Sequence, residues 1–190
     1  AIVLVTLVSL AASWLNWGFG LVVGALFAKA LARRIQVDYP LLIASAYSGF
    51  VIWHGGLSGS VPLTIATSGH FAEAQIGIIS TSDTIFSLFN LMLVAALFVS
   101  VPLLNYLMRP KAEDSVYIDP AKLAPESLPD LTTERPADKL ENSFVITALI
   151  ALAAGAYLLQ YFAKAGGLNL NIVNFLFLFL AILLHGTPRC

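Results

Sequence analysis

The sequence predicts an all-α integral membrane protein, a polytopic helical bundle with a re-entrant hairpin and a broken transmembrane helix. Three observations predict it. Only 11% of the 190 residues are charged and 58% are hydrophobic, whereas roughly 25% of a soluble domain is charged; mean hydropathy is +0.85. The apolar residues come in blocks, and about 20 of them suffice for a helix to cross a bilayer. Two of the blocks are interrupted by polar, glycine-bearing stretches, Ser13–Gly20 and His54–Ser60, which are costly at membrane depth unless they surround something. A net charge of −1 leaves no basic stripe for phosphates and argues against nucleic acid. The single Cys190 allows no internal disulfide, and the three histidines show no metal-ligand spacing.

Residues 1–108 read as a transmembrane region. The run 1–32 holds no charge before Lys29, and Arg33 and Arg34 close it. As one helix it would be about 48 Å long, too long for one upright crossing of a hydrocarbon core of about 30 Å. Asn16, Gly18 and Gly20 are where the excess can be absorbed. The reading is a re-entrant hairpin over 1–32, with a tilted, kinked single span as its rival. Pro40 suits a first helical turn. Residues 41–67 form the next block, expected to break at 54–60 because glycines and Pro62 disfavour helix interior, and to restart near Val61 or Pro62. Residues 68–84 mix His70, Glu73 and Gln75 with apolar side chains and suit a surface segment. Asp83 reads as the N-cap of a span over 86–108. Residues 109–141 carry five Lys/Arg, eight Asp/Glu and five prolines, which predicts a hydrophilic loop without a packed core. Residues 142–190 then hold a plain span over 143–163, a polar turn over 164–171 and a helix over 172–185. The chain is expected to be an internal piece of a longer protein.

Lys and Arg favour the cytoplasmic side. Lys29, Arg33 and Arg34 share a side with the loop 109–141, and residues 68–84 contain neither Lys nor Arg. The loop 109–141 is therefore expected to be cytoplasmic and segment 68–84 to lie outside.

The candidate site is the pair of breaks: Ser13, Asn16, Trp17, Gly18 and Gly20 in the first, and His54, Gly55, Gly56, Ser58, Gly59 and Ser60 in the second. A helix restarting inside a membrane presents free N–H groups and about half a positive charge, which favours an anion such as a carboxylate. The helix ending there presents carbonyls that suit Na⁺. The glycines would let a ligand approach the main chain, and Asn16 and the serines would add donors and acceptors. Paired interrupted helices point to a secondary-transporter site. The plainer alternative is close helix packing through small residues. His54 reads either as a proton-coupling group or as a neutral histidine bonded to a broken-helix carbonyl, the second being preferred. Trp14, Trp17 and Trp53 read equally as pocket wall or filler. A hydrolase built from Ser58, His54 and Asp83 lacks a nucleophile elbow, so the chain is not read as an enzyme. No cofactor or metal is expected, and coupling to Na⁺ or H⁺ is left open.

Asn16–Ala25, Asp38–Ala44 and Gly59–Leu63 resemble the bacterial short-chain fatty acid transporter family, and Asp83–Ser87, Ile118–Pro120 and Leu184–Pro188 resemble later landmarks of the same family. The resemblance runs in order over essentially the whole chain. It implies import of short-chain monocarboxylates such as acetoacetate and butyrate across the bacterial inner membrane. It also implies kinship with the ion-transporter superfamily, in which two inverted repeats each supply a hairpin and an unwound helix. The chain would be one repeat of such an elevator-like carrier, and a homodimer is compatible with it. The alternatives are a related carrier of dicarboxylates or amino acids, and an uncoupled membrane channel or scaffold.

Overall fold

The computed structural model describes residues 1–123, 136, 140, 143–164 and 166–185. It forms two units, Ala1–Pro125 and Glu126–Cys190, and among the described residues there is no strand.

In the first unit α1 (Ile2–Leu15) and α2 (Trp17–Ala32) are separated by the single residue Asn16. Asn16 is extended, with φ −154° and ψ 129°, and its side chain accepts the Phe19 N–H at 3.0 Å. It ends one helix and caps the next. The chain then doubles back. A Cβ on Gly20 would lie 2.6 Å from Ser13 N, and one on Gly24 would lie 3.0 Å from Ser9 Oγ. Ala28 and Ala32 pack in one cluster with Ile2 and Val5. The buried positions of α2 are thus Gly20, Gly24, Ala28 and Ala32, one small residue every fourth position, which lets the two main chains approach closely. At 1.5 Å per residue the limbs are about 21 and 24 Å long, short of a full crossing.

Helix α3 (Tyr39–Ser48) starts at Asp38, whose side chain accepts the Leu41 N–H at 2.9 Å, with Pro40 in its first turn. It runs in the direction of α1: Leu41 and Leu42 pack with Ile2 and Val5, and Ser9 Oγ donates to the Ala46 carbonyl. The expected loss of helix at 54–60 has a longer prelude. α-Geometry already gives way at Gly49 to a 3-10 segment, Gly49–Gly55. There a Cβ on Gly49 would lie 2.6 Å from Leu10 N, so glycine lets the chain press onto α1. The short helix α4 (Ser60–Ile65) restarts at Ser60, one residue earlier than Val61. From Tyr39 to Ile65 the stretch is long and apolar enough to cross a membrane, as are Leu88–Leu107 and Phe144–Ala163.

Residues 66–87 are irregular around the four-residue α5 (Glu73–Ile76). His70 ties the segment together: Nδ1 accepts the Ala72 N–H at 3.2 Å, which leaves Nε2–H to donate to the Gly77 carbonyl at 3.0 Å. Helix α6 (Leu88–Leu107) is capped by Ser87, which accepts the Asn90 N–H at 3.3 Å. Asp83 is not the cap. It lies four residues too early, in a turn closed by its own N–H to Ser80. Near the far end of α6, buried Asn105 donates to Thr6 Oγ1 at 3.0 Å and to Ser48 Oγ at 2.8 Å, joining three helices.

The stretch after α6, the described beginning of the expected loop, is tied to the first unit. Leu123 is buried with Ile2, Ala32 and Leu41, and Arg33 Nε donates to its carbonyl. Val116 exchanges bonds with the foot of α3, its N–H going to Asp38 Oδ2 at 2.9 Å and its carbonyl accepting Tyr39 N–H at 2.8 Å. The remainder of the expected loop, beyond Leu123, lies almost wholly outside the described residues.

The second unit is an antiparallel pair, α7 (Phe144–Ala163) and α8 (Leu170–His185). Tyr157 meets Phe175 edge-on at 5.2 Å. At the turn Tyr161 OH donates to the Gly167 carbonyl at 2.8 Å and accepts from Asn169 at 3.1 Å, while Asn169 Oδ1 caps Ile172 N at 3.0 Å.

Candidate functional site

The two interrupted stretches lie directly on one another. Leu57 N–H donates to the Trp14 carbonyl at 2.8 Å, and Trp17 N–H, the first of α2, donates to Ser58 Oγ at 3.0 Å. Gly56 makes this possible: it is extended, and a Cβ there would lie 2.8 Å from Trp14 Cα. At Gly20 and Gly56 the glycine therefore admits a neighbouring segment of the chain itself, the close-packing role set out above as the alternative.

Each donor at the start of α2 can be followed. Trp17 N–H goes to Ser58, Phe19 N–H to Asn16 Oδ1, and Gly20 N–H to the Asn16 carbonyl at 2.8 Å. Among the described residues the Gly18 N–H has no partner. A Cβ on Gly18 would meet only Asn16 Oδ1, at 3.5 Å, so no other segment packs on it as one does on Gly20 and Gly56. Ser58 is 8% exposed and uses its oxygen as acceptor, which leaves its own O–H without a bond among the described residues. The N-terminus of α2 carries a partial positive charge of about half a unit, and neither stretch contains a Lys or Arg to supply a full one.

The other expected residues divide. Ser13 is fully buried under Gly20 and its Oγ is unpartnered, as is Trp14 Nε1 beside it. Gly55 offers its carbonyl to Asn90 Nδ2 at 2.9 Å. Gly59 N–H closes the turn onto the Gly56 carbonyl at 3.1 Å. Ser60 is exposed at the start of α4, its carbonyl accepting from Thr64 Oγ1 at 2.7 Å. His54 corrects the preferred reading: its ring stands 3.7 Å from that of Trp53 and among the described residues bonds no carbonyl, because the 3-10 turn carries it outward into an exposed position. Trp17 and Trp53 meet at 6.0 Å, with Phe50 against both, whereas half-buried Trp14 is not part of this ring cluster.

Phe50 and Asn90 were not singled out from the sequence. Asn90 is a lone amide at the start of an apolar helix, which is a readable signal for a partner across the membrane. Phe50 has none. Among the described residues no group of His, Cys, Asp and Glu could hold a metal ion. A cleft of about 470 Å³ in the second unit is lined by Tyr157, Tyr161, Asn169, Asn171, Ile172 and Phe175. It contains no residue of either break, and its Tyr161 and Asn169 are already bonded to each other.

A family model described as short chain fatty acid transporter matches residues 1–190. A protein of Escherichia coli K12 named "Putative short-chain fatty acid transporter" is 45% identical over 98% of this chain. A protein of the same name from Haemophilus influenzae Rd is 42% identical over 98% of it. The chain spans 44% of the length of each of these relatives. No solved structure matches it. With a whole-length family match, relatives above 40% identity and three helices fit to cross a bilayer, the chain belongs to the short-chain fatty acid transporter family.

Proposed function

We propose that the chain is half of a secondary carrier that imports short-chain monocarboxylates, such as acetoacetate and butyrate, across the bacterial inner membrane. The observation that carries this reading is the junction of the breaks: Ser58 Oγ holds the first N–H of α2, and the next N–H, on Gly18, has no partner among the described residues. A carboxylate placed there would accept from Gly18 N–H and from the Ser58 hydroxyl. Ser58 Oγ is bonded to the N–H of Trp17, the residue before Gly18, so both donors belong to the first turn of α2 and its partner. The end of α2 would stabilise its charge as helix N-termini do. With no Lys or Arg in either stretch, one negative charge is accommodated better than two, and a co-transported Na⁺ or H⁺ would complete the neutralisation.

In this reading segment 68–84 lies in the periplasm, and the 33–38 turn with loop 109–141 lies in the cytoplasm, as the Lys/Arg distribution favours. An inverted second copy of the hairpin and broken helix, supplied by the rest of the carrier, would face this one in an elevator-like mechanism, and two carriers would form a homodimer.

The test is uptake of labelled acetoacetate or butyrate by the complete protein in proteoliposomes. Ser58→Ala is expected to lower uptake about tenfold or more at matched expression, since a hydrogen bond to a charged group is worth about 1.5–3 kcal/mol; Asn16→Ala is expected to lower it as well, by loosening the cap that holds the start of α2. Normal uptake by both variants would overturn the site. Flux that rises linearly with concentration and ignores ion gradients would replace the carrier with a channel, and preferred uptake of succinate or an amino acid would replace the substrate class.

A further inference from the structure

We propose that Phe50, Trp53 and Trp17 form the wall that receives the apolar tail of the carried acid, and so set the chain length the carrier accepts. This rests on the carboxylate position proposed above and goes beyond it.

The wall is a product of helix type. In an α-helix, residues three apart diverge around the axis, whereas in a 3-10 helix they eclipse one another. Across Gly49–Gly55 the chain is 3-10. Phe50 and Trp53 consequently stack, with ring centroids 5.3 Å apart and planes 11° apart, and Tyr47 lies 6.0 Å below Phe50 at 30°. Trp17 closes the wall from α2, edge-on at 6.5 Å to Phe50 and 6.0 Å to Trp53. These rings are not core filling. Trp17 is 45% exposed and Tyr47 64%, while the neighbouring core is made by Leu10, Leu42 and Ile52, each fully buried.

Position links the wall to the polar end: Trp17, which closes the wall, is the residue before Gly18 and its own N–H is bonded to Ser58 Oγ. The chemistry matches an amphipathic ligand, with amide and hydroxyl donors for the head and aromatic faces for the tail. A second carboxylate in place of the tail would meet the negative faces of the rings with no Lys or Arg in either stretch, which selects against dicarboxylates.

The experiment uses the complete protein in proteoliposomes, with uptake of labelled butyrate competed by acetate, propionate, butyrate and hexanoate. In the wild type each methylene from acetate to butyrate is expected to tighten inhibition about fourfold; in Phe50→Ala and Trp53→Ala that step shrinks to about twofold or less with acetate little changed, and Trp53→Phe restores it. Uniformly lower uptake with unchanged steps would overturn the proposal while leaving the carboxylate site intact; no butyrate uptake by the wild type would remove both. Should the alanine variants fail to fold, 4-bromobutyrate offers a test on the wild type. Its tail bromine is expected to quench tryptophan fluorescence saturably and to be displaced by butyrate, and absence of quenching at saturating, transport-competitive concentrations would overturn the proposal.

Discussion

Two helical hairpins of similar size stand in this chain and are built on opposite plans. The first, α1–α2, turns on one residue, Asn16, and zips together through Gly20, Gly24, Ala28 and Ala32. Its limbs have 14 and 16 residues, and its turn is engaged by a second broken segment through Trp14 and Trp17. The second, α7–α8, turns between Ala163 and Leu170, packs through Tyr157 and Phe175, and bonds its turn internally through Tyr161 and Asn169. Its 20-residue α7 is long enough to cross a membrane. The difference lies in where polar groups find partners. The second hairpin closes its own turn. The first leaves an amide and a hydroxyl at its turn for something else, and uses small residues along its length so that this turn can be held firmly.

The sharpest way to break that comparison is to make the same change in both. A methyl group on Gly20 would lie 2.6 Å from Ser13 N, whereas one on Gly155 would lie 3.6 Å from the edge of Phe179. Alanine is intrinsically better than glycine in a helix by about 1 kcal/mol, so only the neighbours can reverse the sign. Gly20→Ala is expected to destabilise by about 2–3 kcal/mol through overpacking, and Gly155→Ala to be neutral or to stabilise by up to about 1 kcal/mol. Thermal unfolding of the purified complete protein in detergent measures both. Equal shifts would show that the first hairpin is no more tightly closed than the second.

A pair of asparagines gives the next contrast. Asn16 and Asn169 each cap a helix, accepting Phe19 N–H and Ile172 N–H at 3.0 Å. Removing either cap is expected to cost about 1 kcal/mol of stability. Transport should separate them: Asn16→Ala lowers uptake per folded carrier, while Asn169→Ala lowers it only as far as the folded fraction falls. Equal specific uptake in both variants would mean that the first turn is a structural turn like the second.

How much of this was legible depends on the range of the interaction. Helical character and long apolar helices follow from composition and block length, which are local. Asn16 stood out because a lone amide in an apolar run must find a partner, and one lay three residues away at Phe19. The 3-10 geometry of Gly49–Gly55 was hidden because Phe50–Trp53 reads as ordinary apolar helix, and what changes its winding is contact between Gly49 and α1, some forty residues earlier. Asn90 reaching Gly55, and Asn105 reaching Thr6, are equally long-range. The docking of Leu123 was obscured by composition: one leucine among prolines and charges carries no periodicity, yet its burial with Ile2 and Leu41 fixes the loop's beginning to the foot of the bundle. At the helix start before Leu88, Asp83 and Ser87 are both good caps by type, and only the backbone decides between them.

The smallest predicted effect asks whether the second hairpin is self-sufficient. Tyr161 OH makes two bonds at the turn, donating to Gly167 O at 2.8 Å and accepting from Asn169 Nδ2 at 3.1 Å. Tyr161→Phe keeps the ring contacts and deletes both bonds. Each such bond contributes about 0.5–1.5 kcal/mol net, and the freed groups lie at a turn that water can reach, so the loss is expected at about 0.5–1 kcal/mol and not at the sum. Uptake per folded carrier should be unchanged, because no group of either break is touched. A fall in specific uptake without a fall in stability would show that the turn at Tyr161 takes part in transport, and the division of labour between the two hairpins would then fail.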